Sequence, residues 1–271
     1  MIPQDFITEW RAHAPWVQDV QVEQDLVISR ALVEVFRVPE LAEALAFRGG
    51  TALYKLYLTP AARYSEDIDL VQVRAGPIGG TLDRLKSVLD PWLGEPRRDQ
   101  KEGRVNLVYR MRSECTTVPM RLKVEINTRE HFAVADHALS PFEVRCRWFT
   151  GQAAVRTFTL DELLATKLRA LYQRKKGRDL FDIWHALESG GADAGRLVFL
   201  FGQYMDREGH AVTRAEFEEN LAAKETDPVF RADIGPLLAP GTRWDFDEAL
   251  AAVRERVIPI LPGAPWKGRG S

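Results

Sequence analysis

Strand-like alternation is confined to one stretch of this chain, and that confinement limits the folds open to it. DIDLVQV at 67–73 alternates apolar and polar side chains, the two-residue period of a half-buried strand. Strand-like runs follow in VNLVYRMR at 105–112, RLKVEIN at 121–127, FEVRCRW at 142–148 and VRTF at 155–158. Helical spacing marks residues 23–36, 40–46, the segment ALYKLYL at 52–58 and a stretch around 81–92. Beyond residue 158 the pattern is helical throughout, with loops at Gly190-Gly191, Pro228, Pro236 and Pro240-Gly241. Strands mixed with helices in front and helices alone behind predict an α+β fold. The expected division is a core with N-terminal helices over 1–158 and a helical C-terminal domain over 159–271.

An apolar content of 45% in 271 residues is enough to bury a core in each module. No run of eighteen apolar residues exists to span a bilayer, and residues 1–16 lack the apolar stretch of a secretory signal. Cys115 and Cys146 are too few for a disulfide framework, so free thiols in a reducing cytoplasm are expected. The net charge of −2 argues against a protein whose whole surface coats nucleic acid. A local cluster is still present: Lys167, Arg169, Arg174, Lys175, Lys176 and Arg178 follow one another with no acid until Asp179. The five histidines have no ligand spacing, the Trp and Phe residues read as core, and the Gly- and Pro-rich residues 262–271 are expected to be mobile.

Asp67 and Asp69 stand two apart on a predicted strand, so both carboxylates leave one face. Close carboxylates repel each other and call for a counter-ion, which magnesium supplies as a hard cation that prefers carboxylate and phosphate oxygens. Glu125 lies in RLKVEIN between Val124 and Ile126, which should face the core, leaving Glu125 and Lys123 on the other side. A strand beside the acid pair would bring Glu125 to the same ions; alternatively Glu125 faces solvent, paired with Lys123 or Arg121. Gly49-Gly50-Thr51 is the second element. A Gly-Gly turn between a short strand and a helix start lets backbone N–H groups and the helix dipole face an anion, and Thr51 can cap the helix and donate its hydroxyl. Ser65 either contacts a phosphate or caps its local turn. A phosphate-cradling turn, an Asp-x-Asp strand and a later strand acid together fit nucleotidyl transfer, in which two metal ions clamp the attacking and leaving oxygens.

FRGGTALYKLYLTPAARYSEDIDL at 47–70 and LLATKLRALYQRKKGRDLFDI at 163–183 resemble the AbiEii/AbiGii-type, MenT-like nucleotidyltransferase toxins of the polymerase-β-like superfamily. The resemblance extends over roughly residues 40–190; the last eighty or so carry no recognised motif. It implies a first motif of Gly49, Gly50, Ser65, Asp67 and Asp69, a second of Lys167, Arg174, Asp179 and Asp182, and Glu125 as third metal carboxylate. Sixteen residues separate Gly50 from Asp67, longer than the compact superfamily pattern, which leaves the aim of Arg63 and Ser65 open. The resemblance further implies a toxin of a toxin–antitoxin or phage-defence system with a cognate antitoxin. It would use CTP or another pyrimidine NTP and two Mg2+ ions, and modify the 3′ end of tRNA so that translation stops.

Helical spacing places Lys167, Leu171 and Arg174 on one face, with Lys167 at the border of a stripe formed by Leu163, Leu164, Leu168 and Leu171. From there a lysine can reach a triphosphate while its stem stays buried. Asp182 orients Lys167 or Arg174, or serves as general base; spacing does not separate these roles. The basic run at 167–178 is the expected seat of the RNA acceptor. Two rivals stay open: nucleotidyl transfer to a protein or small molecule, and a nucleotide-binding regulatory or partner-binding module without turnover.

Overall fold

The computed structural model describes residues 2–113 and 118–268, and its chain forms two compact units, Met1–Phe158 and Thr159–Ser271. The first unit runs α1 (Gln4–Trp10), α2 (Asp19–Phe36), α3 (Pro39–Ala44), β1 (Leu45–Arg48), α4 (Gly49–Leu56), β2 (Asp67–Gln72) and α5 (Gly79–Leu93). Then follow β3 (Arg97–Lys101), β4 (Arg104–Arg112), β5 (Pro119–Asn127), β6 (Ala138–Cys146) and β7 (Phe149–Thr157). The seven strands form one mixed sheet in the order β3-β4-β5-β2-β1-β7-β6. Neighbours pair antiparallel except β2 with β5 and β1 with β7, which are parallel.

The alternation read from the sequence sets the faces of this sheet. Ile68, Leu70, Val105, Leu107, Tyr109, Leu122, Val124 and Ile126 are all buried, and they share the face on which helices pack. Tyr109 turns its hydroxyl to Asp90 of α5 at 2.9 Å, so even the polar tip of this core residue is satisfied. Pro141 sits in β6, an edge strand, the kind of strand in which proline is tolerated.

A buried polar hub fixes α1, α2 and α4 to one another. Asp25 of α2 accepts from the indole of Trp10 at 2.8 Å, from that of Trp16 at 3.2 Å and from Lys55 Nζ at 2.6 Å. Lys55 also donates to Ser29 Oγ at 2.9 Å, and Ser29 in turn donates to the Asp25 carbonyl at 2.7 Å. Removing one partner would strand a buried charge, so α4, and the turn that opens it, is held hard in place.

The second unit holds α6 (Leu160–Gln173), α7 (Gly177–Glu188), α8 (Ala194–Arg207), α9 (Arg214–Glu225), α10 (Pro228–Ala232) and α11 (Phe246–Arg256). Thr159 caps α6 by accepting from the Glu162 N–H, and Leu163, Leu164, Leu168 and Leu171 are buried as the stripe requires. Three expectations need correction. Arg174 does not continue that face, because the helix stops at Gln173 and Arg174 is extended. Residues 40–46 are not all helical, since Leu45 leaves α3 to begin β1. The tail expected to be mobile is docked as far as Trp266, whose N–H donates to Glu218 at 2.6 Å. Cys146 is a buried free thiol, and Cys115 lies outside the described residues. No helix among those residues is long and apolar enough to cross a membrane.

Candidate active site

The site grows from the junction of β1, α4 and β2. Arg48 is the N-cap position of α4, and Gly49 turns the chain at a φ of 83°. A Cβ at Gly49 would collide with the Asp69 carboxylate, and one at Gly50 would collide with the Arg63 guanidinium. Gly49 is therefore what allows the backbone at the head of α4 to lie against the acid strand, while Gly50 leaves room for the Arg63 guanidinium. Thr51 is not the cap that its position suggested. Its hydroxyl donates to the Asp67 carbonyl at 2.6 Å and lies 2.9 Å from Ser65 Oγ. Since a carbonyl can only accept, the single Thr51 proton goes to Asp67, and the Ser65 proton points to Thr51. The pair thus staples the turn to the start of β2.

Parallel pairing of β2 with β5 sets Asp67 opposite Lys123 and Asp69 opposite Glu125. All four side chains leave the face away from the apolar core. Lys123 Nζ lies 2.8 Å from Asp67 Oδ2 and 3.5 Å from Glu125 Oε2, and Arg104 of β4 lies 3.6 Å from Glu125. Glu125 therefore joins the acid pair on one face, and of the two cations expected near it, Lys123 is there while Arg121 reaches Glu66 instead. Burial pushes Asp69 up to about 6, the neighbouring Asp67 adds to this, and Arg48 works against it. Burial works against the charge on Lys123, yet its hydrogen bond to Asp67 and the surrounding carboxylates hold it above the usual lysine value.

Among the described residues no three acid, histidine or cysteine side chains are drawn together around an ion-sized space. The donor set nonetheless suits a hard divalent cation: three carboxylates on one partly exposed face, with an ammonium among them as the present counter-charge. Lys123 was expected only as a partner of Glu125, and its contact with Asp67 is what the sequence did not single out. Its signal was the pattern itself, a lysine two positions before Glu125 on the same strand face.

In the second unit Lys167 is buried and its ammonium lies 2.9 Å from Asp182 and 3.3 Å from Asp179, both without exposed surface. Arg174, from its extended segment, clamps Asp179 with two bonds of 2.8 and 2.9 Å. The second motif is thus a compact cluster of two cations and two carboxylates. Every other cation of the basic run also has an acidic neighbour: Arg169 with Glu208, Lys175 with Asp227, and Lys176 and Arg178 with Asp233. The run is far less positive than its sequence suggests.

The family described as "Nucleotidyl transferase AbiEii toxin, Type IV TA system" matches residues 30–252. None of the curated proteins compared with the chain matches it. Among solved structures, MenT4, a nucleotidyltransferase toxin from Mycobacterium tuberculosis H37Rv, superposes with a TM-score of 0.64 at 20% identity, over 94% of this chain and 88% of its own. JHP933 from Helicobacter pylori gives 0.55 at 16% identity, over 90% of this chain and 93% of its own. At such identities the likeness establishes the shared fold. The family match decides between enzyme and non-catalytic module in favour of the enzyme. With its glycine turn, acid strand and mixed sheet in place, the chain belongs to the AbiEii family of nucleotidyltransferase toxins of type IV toxin–antitoxin systems.

Proposed function

We propose that this toxin transfers a nucleotide from an NTP to the 3′ hydroxyl of tRNA, and that the modified tRNA no longer serves translation. The observation that carries the reading is the placement of Asp67, Asp69 and Glu125 on one sheet face, with Gly49 packed against Asp69. The N–H groups at the head of α4 receive the phosphates, and Ser65, held by Thr51, stands beside them. Asp67, Asp69 and Glu125 would hold magnesium, two ions in the proposal, which when bound neutralises charge on the transferring phosphoryl group. The acceptor hydroxyl gives up its proton to solvent and attacks the α-phosphorus, a new P–O bond forms, the bond to the β-phosphate breaks, and pyrophosphate leaves with the electron pair.

Lys167, Arg174 and Asp182 enter on the family resemblance. Asp182 is fully buried and in contact with Lys167, which favours a positioning role over that of general base. CTP or another pyrimidine nucleotide is the preferred donor on the same resemblance, and an antitoxin partner follows from the type IV system. The test is incubation with each labelled NTP in turn, magnesium and a tRNA pool. Label on tRNA, pyrophosphate release and loss of both in Asp67→Asn are expected. Pyrophosphate release that ignores RNA would move the acceptor to a protein or small molecule, and full turnover by Asp67→Asn would remove the acid pair from the chemistry.

A further inference from the structure

The sheet face that carries the acid pair does not end at β5. Antiparallel register places Arg121 opposite Arg110, Pro119 opposite Arg112 and Asn127 opposite Arg104, and on the next strand Arg104 opposite Lys101 and Val108 opposite Arg97. Side chains opposite one another in a sheet share a face. Arg97, Lys101, Arg104, Arg110, Arg112 and Arg121 therefore all rise from the face that holds Asp67, Asp69 and Glu125. Among the described residues, Asp99 is the one acid that β3 and β4 set among them. Apart from the partly covered Arg104, these cations are exposed. Arg104 and Arg121 have only the distant acid neighbours at 3.6 and 3.9 Å already described, and Arg97, Lys101 and Arg110 form no ion pair among the described residues.

This arrangement is costly to the fold. Arg110 and Arg121 are directly opposed like charges, where an acid on either strand would stabilise the pair. A local conflict of this kind on an open face, eased only by Glu66 at 3.9 Å from Arg121, is the mark of a surface shaped for a partner. The partner must be a polyanion, and its phosphates must reach the acid pair. Along β4 the cations extend roughly 27 Å from Arg104 to Arg112, and across the strands they lie roughly 5 to 15 Å from β2.

We infer that the open face of β3, β4 and β5 is the track on which the phosphodiester backbone of the RNA acceptor lies while its end reaches Asp67 and Asp69. This inference rests on the proposed transfer to RNA. It moves the main acceptor surface away from the internally paired run at 167–178. Phosphate contacts of this kind position a nucleic acid without reading its sequence.

The test is fluorescence anisotropy of a labelled tRNA pool against the full chain at several salt concentrations. The triple variant Arg97→Ala, Lys101→Ala, Arg110→Ala is expected to bind about tenfold or more weakly at low salt. Its log–log salt slope should be lower by about one for each phosphate that the variant no longer neutralises. Arg110→Glu separates binding from folding. It gives Arg121 an opposite charge, so its melting temperature should hold or rise while tRNA affinity falls. Wild-type affinity and slope in the triple variant would overturn the inference. If only Lys175→Glu with Lys176→Glu weakens binding, the track falls and the RNA acceptor stands. If wild type binds no tRNA, the RNA acceptor falls as well. Displacement of labelled tRNA by poly-aspartate as readily as by unlabelled tRNA would assign the face to an acidic protein and overturn the inference.

Discussion

Asp69 carries the electrostatic conflict of the site in a single side chain. Free in an unfolded chain it titrates near 3.8; in the fold, burial and the adjacent Asp67 push it up to about 6. The folded state therefore binds this proton more tightly than the unfolded one. Between those two values the metal-free protein loses stability as pH rises, and the loss levels off above the higher value. Asp69→Asn removes the titration, so its metal-free melting temperature should exceed that of wild type above pH 6 or so, with the slope between them gone. Melts in chelator across about pH 4 to 8 check this, and parallel curves for the two proteins would refute it. Lys123 supplies the complementary case. Replacing its ammonium by the neutral chain of methionine leaves Asp67 and Glu125 without their shared cation. Metal-free stability should drop by about 1 kcal/mol, while Mn2+ should bind more tightly because no resident charge competes for the carboxylates. A Lys123→Met protein that binds Mn2+ more weakly than wild type would show that the lysine supports the metal site instead.

At the scale of elements, the β1–α4–β2 junction decides the geometry of the site, and it depends on backbone as much as on side chains. Gly49→Ala adds a methyl group where Asp69 already sits and demands a positive φ of an L-residue. A stability loss of about 1–3 kcal/mol is expected, with nucleotidyl transfer reduced far more than the melting temperature implies. Gly80→Ala, in the open at the start of α5, is the control and should be neutral or stabilising. If both variants keep wild-type turnover, the turn is a plain helix start. The same junction shows what sequence patterns can reveal. Asp67, Asp69 and Glu125 are legible because alternation fixes which face a strand residue leaves by, and the face survives whichever strands become neighbours. The parallel pairing that sets Lys123 beside Asp67 is not legible, since register between strands so distant in sequence is a tertiary fact. The short strand ahead of the glycine turn is legible, but its start at Leu45 is not, because LA continues the apolar run of a helical-looking segment; β3 is hidden because RRDQK is an edge strand with no buried face to pattern it. Arg174 departs from its pattern for a related reason: spacing extends a helix face indefinitely, whereas the helix ends where Arg174 turns back to clamp Asp179.

At the scale of the whole chain, each unit has its own buried core: one centred on Leu26, Phe47, Tyr109 and Ile126, the other on Leu164, Phe181, Phe201 and Phe217. Two cores of this kind melt as separate cooperative blocks unless something outside them couples the transitions. The charged clusters lie one in each block, which allows the effects of their variants to be told apart. Lys167 is the sharper case. Its removal leaves Asp179 to Arg174 alone and takes a cation from Asp182, both carboxylates having no exposed surface. Breaking such a buried cluster costs on the order of 3–5 kcal/mol. Calorimetry of the full chain should therefore resolve two transitions, with Lys167→Ala lowering one and Asp69→Asn shifting the other. Lys175→Ala, which gives up only an exposed pair with Asp227, should move neither by more than a degree or so. The comparison matters for activity. Loss of transfer in Lys167→Ala can be ascribed to chemistry only at temperatures below the lowered transition, where the second unit is still folded. If a single transition responds to both substitutions, the units unfold as one, and the two clusters belong to one cooperative structure.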